Sequence, residues 1–419
     1  MTSHPLVDRS PTSAAARVRG IDLARGLAIV GMVAVHIGPT DITGLAGRLY
    51  AAPHGRASLL FVLVAGLGVS LLARSRSGTR SSTGWRLGWR ALLLLPAGLA
   101  LQTLDHGVNV ILQEYAVLFL LAILALRLSD RWVLSLAGTA ALIGPLIILW
   151  GQLEAPAVFD RSSVTFADGP SQIVHGLLMS GPYPVVTWVA PFLLGMWLGR
   201  QDLGSRRVAI RMVLVGGAVA SVALLTARGL IAVLGPPIVG GDVRSLATSA
   251  AHSQMPLWLI GGTGTAVFVL GVCLLLADAL PRATWPMRAL GQLALTAYIA
   301  HLLALHLAAP QLTSDDLGEA VALLLGFVVV LAVMATAWRA RFARGPLEQV
   351  LHVAWVSPDG RGHLRPRDRA SAGARAPSGS MPLHQRAVTA PSSGCHSNAA
   401  TTRSRAPGAH QESSSAKAT

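Results

Sequence analysis

Ten stretches of this chain are apolar for long enough to approach or cross a lipid bilayer, and nothing else in the sequence constrains its fold as strongly. A spanning helix needs about 20 predominantly apolar residues. Runs of that kind fall near 20–38, 57–74, 88–104, 109–127, 132–151, 185–199, 209–234, 257–280, 288–308 and 318–338. Only 13% of the 419 residues are charged and 52% are hydrophobic, where ordinary soluble domains carry about 25% charged residues. The expected fold is all-α: a polytopic helical bundle of about ten transmembrane helices.

The net charge of +15 does not point to nucleic acid, because the arginines sit in short loops and in a tail, where they set orientation. One face collects Arg74, Arg76, Arg80, Arg86 and Arg90, then Arg127 and Arg131, then Arg200, Arg206, Arg207 and Arg211. Arg282, Arg288, Arg339, Arg341 and Arg344 follow on the same face. The opposite face receives only Arg48, Arg56, Arg161, Arg228 and Arg244. This alternation predicts a multi-pass membrane protein with both termini in the cytoplasm, and the near-exclusive use of Arg, with Lys only at Lys417, suggests a bacterial cell membrane. The first run is too long for the apolar core of a signal peptide and carries charges, so it reads as an uncleaved anchor. Residues 1–18 read as a disordered cytoplasmic end, 19–355 as the membrane domain, and 356–419 as a disordered basic tail rich in Ser, Ala and Pro. Residues 345–355 suit a short interfacial helix. Cys273 and Cys395, one in an apolar run and one in the tail, make neither a disulfide framework nor a metal site.

Several runs are not plain anchors. The first carries Asp22, Arg25 and His36, and ionisable groups inside a span are costly unless they meet a partner or a water-filled cavity. At about 100° per residue, Arg25, Ile29, Met32 and His36 share one stripe, with the guanidinium and the imidazole about three turns apart. His36, His54, His106, His175, His252, His301 and His306 all fall toward the Arg-poor face, and His352 follows the last run. Imidazole is suited to exchanging protons near neutral pH. For His106, His175 and His252 the plain reading is a solvated loop residue, whereas His36 and His301 sit at membrane depth. Pro53-His-Gly-Arg-Ala-Ser58 opens the second run, where Arg56 and a helix start favour an anion or a developing oxyanion; an ordinary interfacial helix start with a snorkelling Arg is the alternative. Glu114, between Gln113 and Tyr115, is expensive there unless it orients a His or pairs an Arg. Gln292, Thr296, Tyr298 and His301 bring polar groups to the ninth run, and interhelical hydrogen bonding would account for them equally. Phosphate-binding Gly loops, H-E-x-x-H and G-x-S-x-G are absent from the sequence, and no metal is expected.

The residues Arg19-Gly-Ile-Asp-Leu-Ala-Arg-Gly26, a first run ending in His36, and His54-Gly-Arg-Ala-Ser-Leu-Leu-Phe-Val-Leu-Val-Ala-Gly66 resemble the membrane acyltransferases related to heparan-α-glucosaminide N-acetyltransferase. Leu290-Gly-Gln-Leu-Ala-Leu-Thr-Ala-Tyr-Ile-Ala-His301 and Gly345-Pro-Leu-Glu348 are similar to the closing segments of related bacterial membrane proteins. The resemblance implies an acyl donor, commonly acetyl-CoA as co-substrate, reached from the cytoplasm. It also implies an envelope sugar or other hydroxyl or amine acceptor outside. Candidate catalytic residues are then His36, His54, His301 and Glu114, and candidate donor-binding residues are Asp22, Arg25, Arg56 and Arg90. The partners expected are the bilayer, the donor and the acceptor, with no nucleic acid and with a homo-oligomer left open. A transporter with a His-lined outer cavity, or a receptor or scaffold, would share the same buried charges; consumption of acyl-CoA separates these classes.

Overall fold

The computed structural model describes residues 18–40, 43–74, 80–237 and 242–352; the ends expected to be disordered lie outside the described residues, apart from Val18. Within them the chain is helical, with no strand. Its elements are α1 (Arg19–Ile37), α2 (Gly44–Tyr50), α3 (Arg56–Arg74), α4 (Arg80–Gln102), α5 (Leu112–Ala125), α6 (Asp130–Glu154) and α7 (Pro170–His175). They continue with α8 (Val185–Leu198), α9 (Arg206–Leu234), α10 (Pro256–Ala279), α11 (Trp285–Gln292), α12 (Ala294–Leu312), α13 (Leu317–Arg341) and α14 (Pro346–Val350).

Each of the ten apolar runs is helical, but fewer than ten qualify as spans. Seven helices (α1, α3, α6, α9, α10, α12 and α13) are long and apolar enough among the described residues. An eighth span arises if Pro170–Ser180 and Val185–Leu198, bent by 58°, are taken together. The other two runs fall short for separate reasons. α4 places Arg86 and Arg90 in its first half, and α5 has 14 residues, or about 21 Å of helix against a hydrocarbon core of about 30 Å.

Burial sorts the spans into layers. The apolar windows of α1 and α3 are 72% and 61% buried within the protein, whereas those of α9 and α13 are 22% and 17% buried. The first two therefore form the centre, and the last two face lipid. α3 crosses α8 so closely that a Cβ on Gly66 would collide with the Phe192 carbonyl, and one on Gly195 with the Leu63 carbonyl. Small residues are what permit such approach between membrane helices. The Ser70 hydroxyl then donates to the Met196 carbonyl at 2.6 Å across the same crossing.

One span is broken. α11 ends at Gln292 and α12 begins at Ala294, with Leu293 leaving helical geometry between them (φ −109°, ψ 32°). The amides freed at the start of α12 are met by Glu348 of α14, whose carboxylate accepts from Leu295 N at 2.8 Å, Thr296 N at 3.1 Å and Thr296 Oγ1 at 2.6 Å. An anion at a helix N-terminus is favourable on both hydrogen-bonding and dipole grounds. The sequence segment 345–348 is thus the clamp on the broken span. Trp89 Nε1 donates to Val350 O at 3.3 Å, which ties the same short helix to α4.

The helix crossing supplies an internally controlled prediction. Gly195→Val should lower the detergent melting temperature markedly, because overpacking a tight contact costs about 1–3 kcal/mol. Gly138→Val, where an added Cβ meets nothing within 4 Å, should leave it unchanged. Equal melting temperatures for the two variants would contradict the crossing.

Candidate functional site

The first histidine on the α1 stripe and the one before α3 meet in a single cavity. Its volume is about 280 Å³, and its wall includes His36, His54, Ser58, Asn109, Arg161, Tyr183 and His252. His36 is brought there by the last turn of α1. His54 is brought by the turn that precedes α3, where Gly55 takes a left-handed φ of 70° that a side chain would oppose.

His36 has a second imidazole behind it. His36 Nδ1 lies 3.3 Å from His301 Nε2, with the rings 5.4 Å apart and nearly parallel. His301 is 1% exposed on α12, and Tyr298 packs edge-on against it at 5.1 Å. In the tautomer in which His36 donates Nδ1–H to His301, Nε2 of His36 keeps its lone pair. A base oriented by a second group is the arrangement that proton-transfer chemistry uses.

On the same wall, the rings of His54 and His252 pack against each other with their centroids 5.6 Å apart. Burial, then the neighbouring Arg56, pushes the His54 pKa below its ordinary 6.5. Burial, then His54 and Arg161, pushes His252 down to about 4. Both rings are therefore neutral at pH 7, able to donate through one nitrogen and accept through the other.

The remaining sequence candidates are distributed elsewhere. Glu114 is 2% exposed in the first turn of α5; its Oε2 meets no hydrogen-bond partner among the described residues, and it is not part of the cavity wall. Arg56 donates to Ala52 O at 3.1 Å and lines a neighbouring cavity with Trp258 and Ser249. His106 is buried in its own turn, 2.9 Å from Leu101 O and accepting from Val108 N. His175 lies 3.1 Å from Ser180 Oγ, and His306 lies 3.0 Å from Asp105 O. His106 and His175 satisfy polar groups of their own turns, and His306 reaches the loop after α4. His252 departs from the solvated-loop reading, and Arg161, Tyr183 and Asn109 join the cavity without any signal in local sequence. They arrive from loops that only the fold brings together.

The arginine-rich end carries a different constellation. Asp22 is 2% exposed and pairs with Arg25 at 3.5 Å. It also accepts from Gln292 Nε2 at 3.0 Å, while Arg339 Nε donates to Gln292 Oε1 at 2.6 Å. This chain of contacts links α1, α11 and α13. Burial and then the charges of Arg344, Arg86 and Arg90 lower the pKa of His352 below 6.5. Between the two ends, Ile29 and Met32 are 0% and 3% exposed and fill the stripe that joins Arg25 to His36.

The fold and its two polar ends define a multi-pass membrane protein with an imidazole-lined cavity on one face and clustered guanidinium groups toward the other. Residues 17–232, just over half of the chain, match the family described as heparan-alpha-glucosaminide N-acetyltransferase, catalytic. The chain belongs to that family and is a membrane acyltransferase-like protein. Residues 202–357 match a second family, described as protein of unknown function (DUF418). No curated protein matches the chain. The first match covers His36, His54, Arg161 and Tyr183, and the second covers His252 and His301.

The Asp22 network carries a stability prediction. Asp22→Ala should strongly reduce the melting temperature in detergent, because removing one member of a buried ion pair costs about 3–5 kcal/mol. Asp22→Ala combined with Arg25→Ala should recover part of the loss. A double variant no more stable than Asp22→Ala alone would separate the two residues energetically.

Proposed function

We propose that this protein transfers an acyl group, acetyl in the simplest case, from a cytoplasmic acyl-CoA to a hydroxyl or amine acceptor on the other side of the membrane. The observation that carries this reading is the oriented His36–His301 pair at a cavity also lined by His54, in a chain of an acyltransferase family. The arginine-rich end is the cytoplasmic one in this reading, in a bacterial cell membrane, by the positive-inside rule.

His36 takes the proton from the acceptor O–H or N–H as the acceptor oxygen or nitrogen bonds to the acyl carbon. The neutral His54 N–H donates to the carbonyl oxygen as negative charge develops there. Collapse breaks the C–S bond, and the proton held by His36 passes to the departing sulfur. The products are the acylated acceptor and CoA–SH. The donor phosphates suit Arg86, Arg90 and Arg344, with Arg25 at the foot of the stripe. Arg25 lies about 16 Å along α1 from His36, a distance comparable to an extended pantetheine arm. Ile29 and Met32 lie buried along the stretch of α1 between the two ends, so a donor arm that follows this stripe requires their side chains to move aside.

We also propose that residues 19–355 form the membrane domain and that the basic tail after them serves no catalytic role.

His36→Ala should fold, insert and lose about 10²–10⁴ in the rate of acetyl-CoA consumption in nanodiscs supplied with glucosamine. His54→Ala should also lower kcat, whereas His175→Ala should match the unmodified protein. Full turnover by both His36→Ala and His54→Ala would end the acyltransfer assignment of this cavity.

A further inference from the structure

The cavity's least expected member is also its most deliberately held. His252 and Gln254 both take left-handed backbone angles, φ 55° and 63°, which are costly for residues other than glycine and persist only where their surroundings impose them. Arg161, arriving on the loop after α6, donates Nη1 to His252 O at 2.8 Å and Nη2 to Ser253 O at 2.7 Å. Gln254, 1% exposed, is held from the other side: its Oε1 accepts from Thr187 Oγ1 at 3.0 Å and Trp188 Nε1 at 2.9 Å, and its Nε2 donates to Pro182 O at 2.9 Å. The strained segment is therefore fixed at both ends, and the outcome is that the His252 ring joins the cavity wall beside His54.

The loop that supplies Arg161 also reaches the opposite rim. Ser163 Oγ donates to Asn109 Oδ1 at 2.6 Å, and Asn109 lines the same cavity. One short strap thus sets two hydrogen-bonding side chains around a space of about 280 Å³, just below the usual range of about 300–1,000 Å³ for ligand sites. Among the described lining residues there is no carboxylate, so an ammonium group would enter without a counter-ion, whereas neutral hydroxyl and amino groups find donors and acceptors on every side.

Resting on the acyltransfer reading above, we infer that His252 and Asn109 bind the acceptor, an uncharged polyhydroxylated or amino compound of single-ring size, and that Arg161 is the positioning residue that holds His252 in place. The neutral state of His252, with its pKa pushed down to about 4 by burial, His54 and Arg161, suits this role, since one ring then donates and accepts.

The test uses the full chain in nanodiscs at about pH 9, where glucosamine is the uncharged free amine, with glucosamine as acceptor probe and acetyl-CoA as donor probe, and measures equilibrium binding of each alone as well as steady-state transfer. His252→Ala should weaken glucosamine binding and raise its KM at least tenfold, with acetyl-CoA binding within twofold of the unmodified protein. Asn109→Ala should act in the same direction. Arg161→Ala should reproduce the KM effect and raise amide hydrogen exchange over 250–255, and Arg161→Lys should rescue it incompletely, because a single ammonium does not reproduce the forked donation to two carbonyls. Loss of glucosamine binding in His252→Ala, in a protein that neither binds nor consumes acetyl-CoA, would keep the subsite and reject acyltransfer. No glucosamine binding by the unmodified protein, or affinity and KM unchanged in His252→Ala, would overturn the inference.

Discussion

A charged or hydrogen-bonding side chain inside a membrane bundle must find its partner within the protein, since the bilayer core offers none. The consequences of that constraint run through this structure. Asp22, nearly inaccessible on the most central helix, meets Arg25 and Gln292, and through Gln292 it reaches Arg339. α1 is thereby fixed in rotation against α11 and α13. Because His36 lies on the same rigid helix, the contacts at the arginine-rich end set the direction of an imidazole some three turns away. The broken α11–α12 span obeys the same rule, with Glu348 satisfying the freed amides of α12 and so holding His301 on that helix behind His36.

The two polar ends differ in chemical character in a way that suits a two-substrate reaction. Guanidinium groups gather at one end, and they are permanent charges fitted to phosphates. Imidazoles, an amide, a phenol and a hydroxyl gather around the other, where the one lining guanidinium, Arg161, is engaged with backbone carbonyls and the neutral groups can exchange a proton. Between them the α1 stripe is apolar and packed. A reaction that joins the ends needs either a mobile centre or a donor that threads it, and Ile29 and Met32 are the residues that would have to yield.

Much of this was legible in the sequence, and the boundary between what was and what was not has physical causes. The apolar runs follow from hydropathy within one segment, and the Arg25–His36 stripe from helical periodicity within one helix. Among the described residues all ten runs are helical; seven or eight are long and apolar enough to cross a bilayer, while α4 is diluted by arginines and α5 is short. The meeting of His36 with His54 was half visible, since both flank the first two spans. His252 was not, because its place depends on a left-handed turn fixed by Arg161 from a loop some ninety residues away. Local sequence carries no trace of such a contact. Glu114 and Arg56 drew attention by residue type, yet α5 turns the first into the helical core and the second lines the cavity next door.

The central claim is that the donor is taken up at the arginine-rich end and the acceptor at the histidine-lined end. Proteoliposomes with the protein in one defined orientation test it directly, with labelled acetyl-CoA confined to one side and glucosamine to the other. The account predicts labelled N-acetylglucosamine when acetyl-CoA is on the side of Arg86, Arg90 and Arg344 and glucosamine is on the side of His54, and none with the two exchanged. Product formed only when both substrates share one side, or equally in either arrangement, would contradict it.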